Sequence, residues 1–189
     1  MTVNKEILEK LIQKKGFKWY QNELNIIGIR NSEPGDVVTN KFDDLITVTY
    51  RKNDNWFCEV FPATTDPGRK AMLEYHNPKG VARLVPGQYI HCWEIGLHQG
   101  KYEALKQTAK VKVIRDKDKD MVFDGTLLDE GVFGINIHKA GVDSTNVENW
   151  SEGCQVFKKE ADFNKFMGIV KSNGAKKFTY TLVESNELT

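Results

Sequence analysis

The sequence predicts a mainly β protein with a few helices, an α+β fold. Short runs rich in β-branched and aromatic residues alternate with turn-forming segments along most of the chain. Only two segments, 4–15 and 161–171, have the apolar spacing of an amphipathic helix. The chain has 189 residues, of which 40% are hydrophobic and 28% are charged. A chain of this length and composition buries enough apolar surface to fold without disulfides or a structural metal.

The first predicted element is an amphipathic helix over residues 4–15. Asn4 is a suitable N-cap and Gly16 a suitable C-terminal stop. One face of this helix carries Ile7, Leu8, Leu11 and Ile12. We therefore expect residues 1–22 to form a helical appendage. Its apolar face either packs on the main domain or contacts a partner, and packing is the commoner use of such a face.

The remaining residues, 23–189, are predicted to form one mostly β domain. A polar loop is expected over 139–149, and a helix over 161–171 places four apolar residues on one face: Phe163, Phe166, Met167 and Val170. The predicted strands are 24–30, 45–51, 56–61, 88–95, 109–116, 134–138 and 177–183.

The charge pattern and the absence of long apolar runs exclude several classes of partner. The net charge is +1, so we expect no nucleic-acid partner. No segment approaches the length of a membrane span, and residues 1–15 are too charged for a secretory signal. A role in the cell wall would then require another export route, or a signal that has been removed.

No metal or cofactor is expected from the sequence. His76, His91 and His98 lack the spacing of a zinc site. The Asp116, Asp118 and Asp120 series begins like a calcium loop, but Met121 replaces the required glycine and Leu127 the bidentate glutamate. Cys58 and Cys92 lie in apolar, aromatic runs, where we expect them to be small buried side chains. Three cysteines also do not form a disulfide framework.

The residues that point to chemistry are His138 and Cys154. A histidine next to a cysteine can take up the thiol proton and so produce a nucleophile. His138 ends an apolar strand, and Cys154 follows the small polar segment Ser151-Glu152-Gly153. Spacing alone favours a plainer interpretation, a half-buried thiol and a histidine bonded to backbone groups, because reactivity depends on adjacency in space.

The ordered set of motifs around these two residues resembles the L,D-transpeptidase (YkuD-type) catalytic domain. Its signature is a histidine, a loop and then Ser/Thr-His-Gly-Cys, which His138 and Ser151-Glu-Gly-Cys154 match in order. Residues 61–68 resemble the strand and turn before the family's cleft. Residues 80–89 resemble its Thr-Pro-x-Gly-x-Tyr segment, and 162–167 resemble the helix after its cysteine. The resemblance spans about residues 57–170 and is to a divergent member, for which the missing signal favours a phage or prophage origin.

The resemblance implies a β-sandwich or barrel that carries a cysteine acyl-transfer site. Cys154 would form a thioester with a peptidoglycan stem peptide, and His138 would be the general base, oriented by the backbone carbonyl of Lys139. The N–H groups of Gly153 and Cys154 would stabilise the oxyanion, with Ser151 hydrogen-bonded near the nucleophile. The substrate-binding residues would be Trp150, Tyr89, His91 and Glu152. Tyr89, His91 and Trp93 alternate along one predicted strand, so they would share a face that can form an aromatic wall of the cleft. The reaction would then take place in the cell wall, without a cofactor.

Three features depart from the family pattern, and one of them is that the loop between His138 and Ser151 is slightly short. Glu152 replaces the second histidine of the signature, and a carboxylate there is expected to raise the pKa of the thiol. Gln155 and Val156 replace the Asn or Arg that commonly follows the cysteine. Two alternatives therefore stand beside the enzyme: a catalytically silent binding or virion-structural module on the same fold, and a cytoplasmic cysteine amidohydrolase. The sequence does not distinguish transpeptidation from L,D-carboxypeptidase or endopeptidase activity.

Overall fold

A computed structural model describes residues 2–74, 77–126 and 128–188. Strands dominate it, and a short 3-10 turn, Ser185–Glu187, lies near the end of the chain. The α+β prediction is therefore confirmed. The helices and strands in chain order are α1 (Lys5–Lys14), β1 (Asn25–Arg30), β2 (Asp44–Lys52), β3 (Asn55–Thr64), α2 (Arg69–Glu74), β4 (Val81–Leu84), β5 (Gly87–His98), β6 (Tyr102–Gln107), β7 (Val111–Asp116), β8 (Leu128–Gly131), β9 (Ile137–Lys139), β10 (Gln155–Phe157), α3 (Glu160–Asn173) and β11 (Phe178–Glu184).

Eight of the strands close into a barrel, in the order β1-β11-β5-β6-β9-β10-β3-β2. The pairs β1 with β11 and β9 with β10 are parallel, whereas the other barrel pairs are antiparallel. Strands β4, β7 and β8 form a separate antiparallel sheet. The parallel β9–β10 pair carries His138, and β10 begins directly after Cys154.

The main core contains large aromatic side chains and residues of α3. Trp93, Tyr180 and Phe157 are completely buried. The four residues predicted to share one face of α3 are all buried in the same core, and the ring of Phe166 lies 4.9 Å from that of Phe157. Gly174 ends α3 with a φ of 74°, the left-handed conformation that glycine adopts without steric cost. The sequence prediction for this helix is confirmed.

Helix α1 packs against the outside of the barrel. The Asn4 side chain accepts a hydrogen bond from the N–H of Ile7 at 3.0 Å, as expected of an N-cap. Leu8 and Ile12 are buried in a cluster with Ile27 and Val183 of β1 and β11. The apolar face of the helix is therefore covered by the barrel itself. In the part of the chain that the structure describes, no helix is long and apolar enough to span a membrane.

The strand predicted over 134–138 is shorter in the structure and begins only at Ile137. Gly134 has a φ of 77°, which interrupts an extended strand. The side-chain oxygen of Gln107 accepts the N–H groups of Phe133 and Ile135, at 3.1 and 2.9 Å. The Gln107 side chain thus accepts the backbone hydrogen bonds that a neighbouring strand would otherwise accept. No local sequence pattern predicts a hydrogen bond between residues so far apart in the chain. The short elements β4, β6, β8, β10 and α2 were also not predicted.

A buried ionic cluster holds the turn after β3 in place. Arg30 is 2% exposed and lies 3.0 Å from Asp66, which also binds Arg83 at 2.7 Å. Arg30 also donates to the carbonyl oxygens of Thr65 and Leu84, at 2.9 and 3.0 Å. Buried charges are tolerated when they are paired and hydrogen-bonded in this way. The cluster fixes the 65–68 turn, whose Gly68 N–H donates to the carbonyl of Ser151 at 2.9 Å.

Gly28→Ala is expected to destabilise the barrel by about 3 kcal/mol or more, because it overpacks the core and breaks a buried hydrogen bond. A Cβ atom on Gly28 would lie 1.8 Å from the hydroxyl oxygen of Tyr180. That hydroxyl group donates to the side chain of Gln155 at 2.8 Å. Urea unfolding followed by circular dichroism measures the change in the free energy of unfolding.

The matched control for that variant is Gly168→Ala. Gly168 lies inside α3, and no atom is within 4 Å of the position of an added Cβ. Alanine there is expected to raise the free energy of unfolding by about 1 kcal/mol through helix propensity. Equal stability of Gly28→Ala and the wild type would contradict the packing described for Tyr180.

Candidate active site

The parallel pairing of β9 and β10 brings His138 and Cys154 to one face of the barrel wall. His138 pairs with Val156, and Ile137 with Gln155. Cys154 lies two residues before Val156 and therefore faces the same side as Val156 and His138. The Cα atoms of His138 and Cys154 are then roughly 8 Å apart, one strand spacing across and two residues along. Two side chains on such a diagonal can meet, which spacing along the chain does not show.

The imidazole of His138 is held in one orientation. Its Nδ1 donates to the carbonyl oxygen of Lys139 at 2.8 Å, the contact expected from the family resemblance. The Tyr102 hydroxyl donates to the same oxygen at 3.3 Å. A carbonyl oxygen only accepts, so Nδ1 carries the proton and Nε2 has a free lone pair. This tautomer leaves His138 ready to take up a proton at Nε2.

His138 is neutral over most of the pH range. The residue is 3% exposed, and burial lowers the pKa of its imidazole to about 3, with a smaller contribution from His98. The two imidazole rings are stacked, with centroids 4.0 Å apart and an interplanar angle of 16°. Burial also lowers the pKa of His98, and the nearby Lys101 and Lys106 add to the effect. The pair therefore consists of two neutral rings at neutral pH.

The buried imidazole makes stability depend on pH. An unfolded histidine takes up its proton near pH 6.5, whereas His138 in the folded protein does so near pH 3. Acid therefore favours the unfolded state between these values, by about 1.4 kcal/mol per pH unit. We expect His138→Gln to remove this part of the acid destabilisation. Urea unfolding of both proteins between pH 3.5 and 7 measures it.

His91→Gln is the matched control for that series, since it removes a histidine whose side chain is 44% exposed. This variant is expected to keep the acid slope of the wild type. An identical slope in the wild type and in His138→Gln would show that His138 is not the buried neutral group.

Cys154 is a protonated thiol at neutral pH. Its side chain is half-buried beside Val156, and the sulfur donates to the carbonyl oxygen of Gly134 at 3.3 Å. Burial raises the pKa of the thiol to about 11; the N–H of Asn136 acts against this shift and the carboxylate of Glu152 adds to it. The upward effect of Glu152 has the direction predicted from the sequence. The thiol would act as a nucleophile only if a base removed its proton.

The turn before Cys154 is held by Ser151, which is completely buried. Its hydroxyl group donates to the carbonyl of Cys154 at 2.8 Å and accepts the N–H of Gly153 at 3.2 Å. Gly153 has a φ of 119°, and an added Cβ would lie 2.4 Å from the carbonyl oxygen of Ala82. Only glycine combines this positive φ with a backbone that lies so close to Ala82.

The expectation that two amides form an oxyanion hole therefore needs correction. The N–H of Gly153 already donates to Ser151, so it is not available to a substrate. The N–H of Cys154 has no acceptor among the residues that the structure describes. Of the two amides, the N–H of Cys154 is therefore the one that can donate to a negatively charged oxygen.

A cavity of about 360 Å³ opens beside His138. Trp150, predicted to form a wall of the cleft, lines it and is 46% exposed. Cys154 does not line the cavity, and its sulfur contacts Gly134 instead. The thiol must therefore turn away from that carbonyl to reach a ligand in the cavity. The lining residues are His98, Gln99, Lys101, Tyr102, His138, Lys139, Asn149 and Trp150.

Two predicted substrate-binding residues, Tyr89 and His91, lie elsewhere, and the prediction of an aromatic cleft wall on β5 is wrong. The Tyr89 hydroxyl donates to the carbonyl of Val85 at 2.6 Å. His91 has a φ of 54° at a break in the β5–β11 register, and its Nε2 lies 3.0 Å from Glu23. The bulge breaks the two-residue alternation on which the prediction depended. Glu152, which was also predicted to bind substrate, is exposed beside Cys154 and does not line the cavity.

Three residues that shape the site were not predicted from the sequence: His98, Tyr102 and Asn136. Asn136 shares the face of His138 in an otherwise apolar segment, and this two-residue spacing was a usable signal. The Gln99-Gly100 pair was a hairpin signal that places His98 at a strand end. No local pattern, however, shows that the β5–β6 hairpin reaches His138.

The acidic series excluded as a calcium loop forms a compact turn. Carboxylate oxygens of Asp116, Asp118 and Asp120 lie within 4.8 Å of one another. Both oxygens of Asp116 accept backbone N–H groups, from Lys119 and Met121, at 2.8 and 3.2 Å. Hydrogen bonds within the turn thus satisfy both oxygens of the Asp116 carboxylate without a metal ion. His76 and Leu127, weighed in the metal analysis, lie outside the described residues.

Comparisons with known proteins found no match: no family model, no curated protein and no solved structure is similar to this chain at a significant level.

Proposed function

We propose that the chain is a cysteine acyl-transfer enzyme that acts on peptidoglycan stem peptides, as a divergent L,D-transpeptidase-like protein. One observation carries the proposal. A buried imidazole whose Nδ1–H is bonded to the next carbonyl lies on the strand paired with the one that follows Cys154, on the same face and beside an open cavity. This geometry supplies a base with a free lone pair on the strand that is paired with the one after the thiol, and a rotation of the Cys154 side chain away from Gly134 would bring the two groups together.

The first step transfers the thiol proton to Nε2 of His138 while the sulfur attacks a substrate carbonyl carbon. Both groups are neutral at rest, since the pKa of Cys154 is raised to about 11 and that of His138 is lowered to about 3. A stable thiolate–imidazolium pair therefore does not form in the free protein, and proton transfer accompanies attack. The positive charge that develops on His138 is then balanced by the oxyanion.

The tetrahedral intermediate needs a donor for its oxygen. In the proposed mechanism the backbone N–H of Cys154 is this donor, and such a group typically contributes about 3 kcal/mol. Ser151 positions the amide indirectly, because its hydroxyl group binds both ends of the Gly153–Cys154 segment. Ser151 is therefore a positioning residue.

Collapse of the intermediate breaks the C–N bond and leaves a thioester on Cys154. The leaving amine takes the proton from His138, which becomes neutral again. A second amine that attacks the thioester completes transpeptidation, whereas water completes hydrolysis. In both reactions His138 takes a proton from the incoming amine or water and passes it to the sulfur of Cys154 as the thioester breaks.

The test of the proposal is the mass of Cys154 after exposure to peptidoglycan stem fragments or to a carbapenem. The expected result is a covalent acyl adduct on Cys154 and none on Cys58 or Cys92. Products from purified muropeptides then distinguish the reactions, because a crosslinked dimer indicates transpeptidation and loss of a terminal D-residue indicates hydrolysis. Turnover of other amides, without any change in muropeptides, would instead favour the cysteine amidohydrolase.

A second candidate is a binding module that keeps the cavity without the chemistry. The observation that favours it is the state of the nucleophile: a protonated thiol, bonded to Gly134 and placed next to the carboxylate of Glu152. This candidate predicts that stem fragments bind without any change in the mass of the protein. The same mass measurement therefore separates the two functions.

A further inference from the structure

The turn between β5 and β6 brings two groups to the rim of the cavity beside His138. The N–H of Lys101 donates to the carbonyl of His98 at 2.9 Å and closes the turn. Gln99 and Gly100 have φ angles of 50° and 72°, the left-handed values that tight hairpins require. His98 and Lys101 therefore leave the backbone close to each other, and both line the cavity.

His98 presents a hydrogen-bond donor that has no partner among the described residues. The Asn136 side-chain oxygen accepts the N–H of Gln107 at 3.0 Å, which directs its amide nitrogen to Nδ1 of His98 at 3.1 Å. An amide nitrogen only donates, so Nδ1 of the neutral His98 accepts and Nε2 carries the proton. The tautomer is thus opposite to that of His138, and Nε2–H of His98 is a donor.

The charge around the cavity favours an anion. None of its lining residues is acidic. Lys139 is paired with Glu160 and lies over the Tyr102 ring, so its charge is largely compensated. Among the described residues, the Lys101 ammonium group is hydrogen-bonded only to the Gln99 side chain, at 3.4 Å. Lys101 is therefore the cation at this site that can still form a charge-assisted hydrogen bond to an anion.

We infer that the β5–β6 turn forms a subsite for a carboxylate of the substrate, which is bound by the Nε2–H of His98 and the ammonium group of Lys101. The inference rests on the proposed function, since it names the substrate feature that this site selects. The His98 ring is stacked on His138 at 4.0 Å, so a carboxylate held there lies one ring away from the base. The preferred substrates are then peptides with a free carboxylate on a residue that flanks the bond to be cleaved.

The test compares the tetrapeptide L-Ala-γ-D-Glu-L-Lys-D-Ala with the same peptide as its C-terminal carboxamide. Wild-type kcat/KM is expected to favour the acid by about tenfold or more, the usual effect of hydrogen bonds to a charged group. In Lys101→Met the ratio of acid to carboxamide is expected to fall towards one. Lys106→Met is the matched control, because it removes an exposed lysine of the same hairpin that does not line the cavity. It is expected to keep the ratio.

Binding supplies a readout that does not need turnover. Both peptides are titrated into Cys154→Ala while the ring proton signals of His98 and His138 are followed by NMR. The expected result is a shift of the His98 signal with the acid alone, lost in the Cys154→Ala/Lys101→Met double variant. Turnover of both peptides at equal rates, or an unchanged ratio in Lys101→Met, would overturn the carboxylate subsite and leave the enzyme intact. Selective binding of the acid without turnover would overturn the enzyme and support the subsite.

Discussion

Cys154→Ala is expected to reduce kcat/KM for a peptidoglycan stem peptide by at least about 10³-fold, because no other group can form the thioester. The side chain is only half-buried, so its truncation is expected to change the free energy of unfolding by less than the loss of a core residue would. Product formation by mass spectrometry measures the rate, and thermal unfolding shows that the variant is folded.

Two other cysteines provide the controls. Cys58 accepts a hydrogen bond from Thr49 at 3.4 Å, and Cys92 is 7% exposed with its sulfur directed at the carbonyl of Ile90. Burial raises the pKa of both thiols, and neither lines the cavity. Cys58→Ala and Cys92→Ala are therefore expected to keep wild-type activity. Turnover of muropeptides by Cys154→Ala at the wild-type rate would contradict the proposed mechanism.

His138→Gln is expected to lower kcat by about 10²- to 10⁴-fold, the usual contribution of a general base. A glutamine amide can still donate to the Lys139 carbonyl, as Nδ1–H of the imidazole does at 2.8 Å, but it cannot accept the thiol proton. The reduction therefore reports the loss of the base and not of the hydrogen bond. His91→Gln, which changes an exposed histidine bonded to Glu23, is expected to retain activity.

The dependence of kcat/KM on pH tests the protonation state of His138. His138 must be neutral to accept a proton, and its pKa of about 3 keeps it neutral down to acid pH. The acid limb of wild-type kcat/KM should therefore lie well below pH 6.5, the value of an ordinary histidine. Above that limb and up to the pKa of the thiol, about 11, both resting groups are neutral, so activity should not change with pH. An acid limb between pH 6 and 7 would show that the imidazole is not held in the buried state described.

Much of the fold was predictable because it depends on local periodicity. The faces of α1 and α3 follow from apolar residues three and four positions apart, and their burial confirms the prediction. The longer strands follow from runs of β-branched and aromatic residues between turns. The Asn4 cap and the Gly16 stop of α1 are also local, since each depends on the conformation of a few residues.

The candidate site was predictable only in part. His138 and Cys154 were selected from the sequence, but their arrangement on one face depends on the parallel pairing of β9 with β10. Tyr89 and His91 were assigned to the cleft by two-residue alternation, and the bulge at His91 breaks that alternation. The amide of Gly153 was expected to bind substrate, yet Ser151 already accepts its hydrogen.

The sequence by itself therefore determined a mainly β protein, two helices with their buried faces, and a histidine–cysteine pair as the place to look for chemistry. Tertiary structure alone decided that eight strands close into a barrel, that His98 stacks on His138, and that the thiol is protonated beside Gly134. The physical reason is that side-chain periodicity specifies which face of an element is buried. Register, bulges and closure specify which faces meet, and these depend on contacts between residues far apart in the chain.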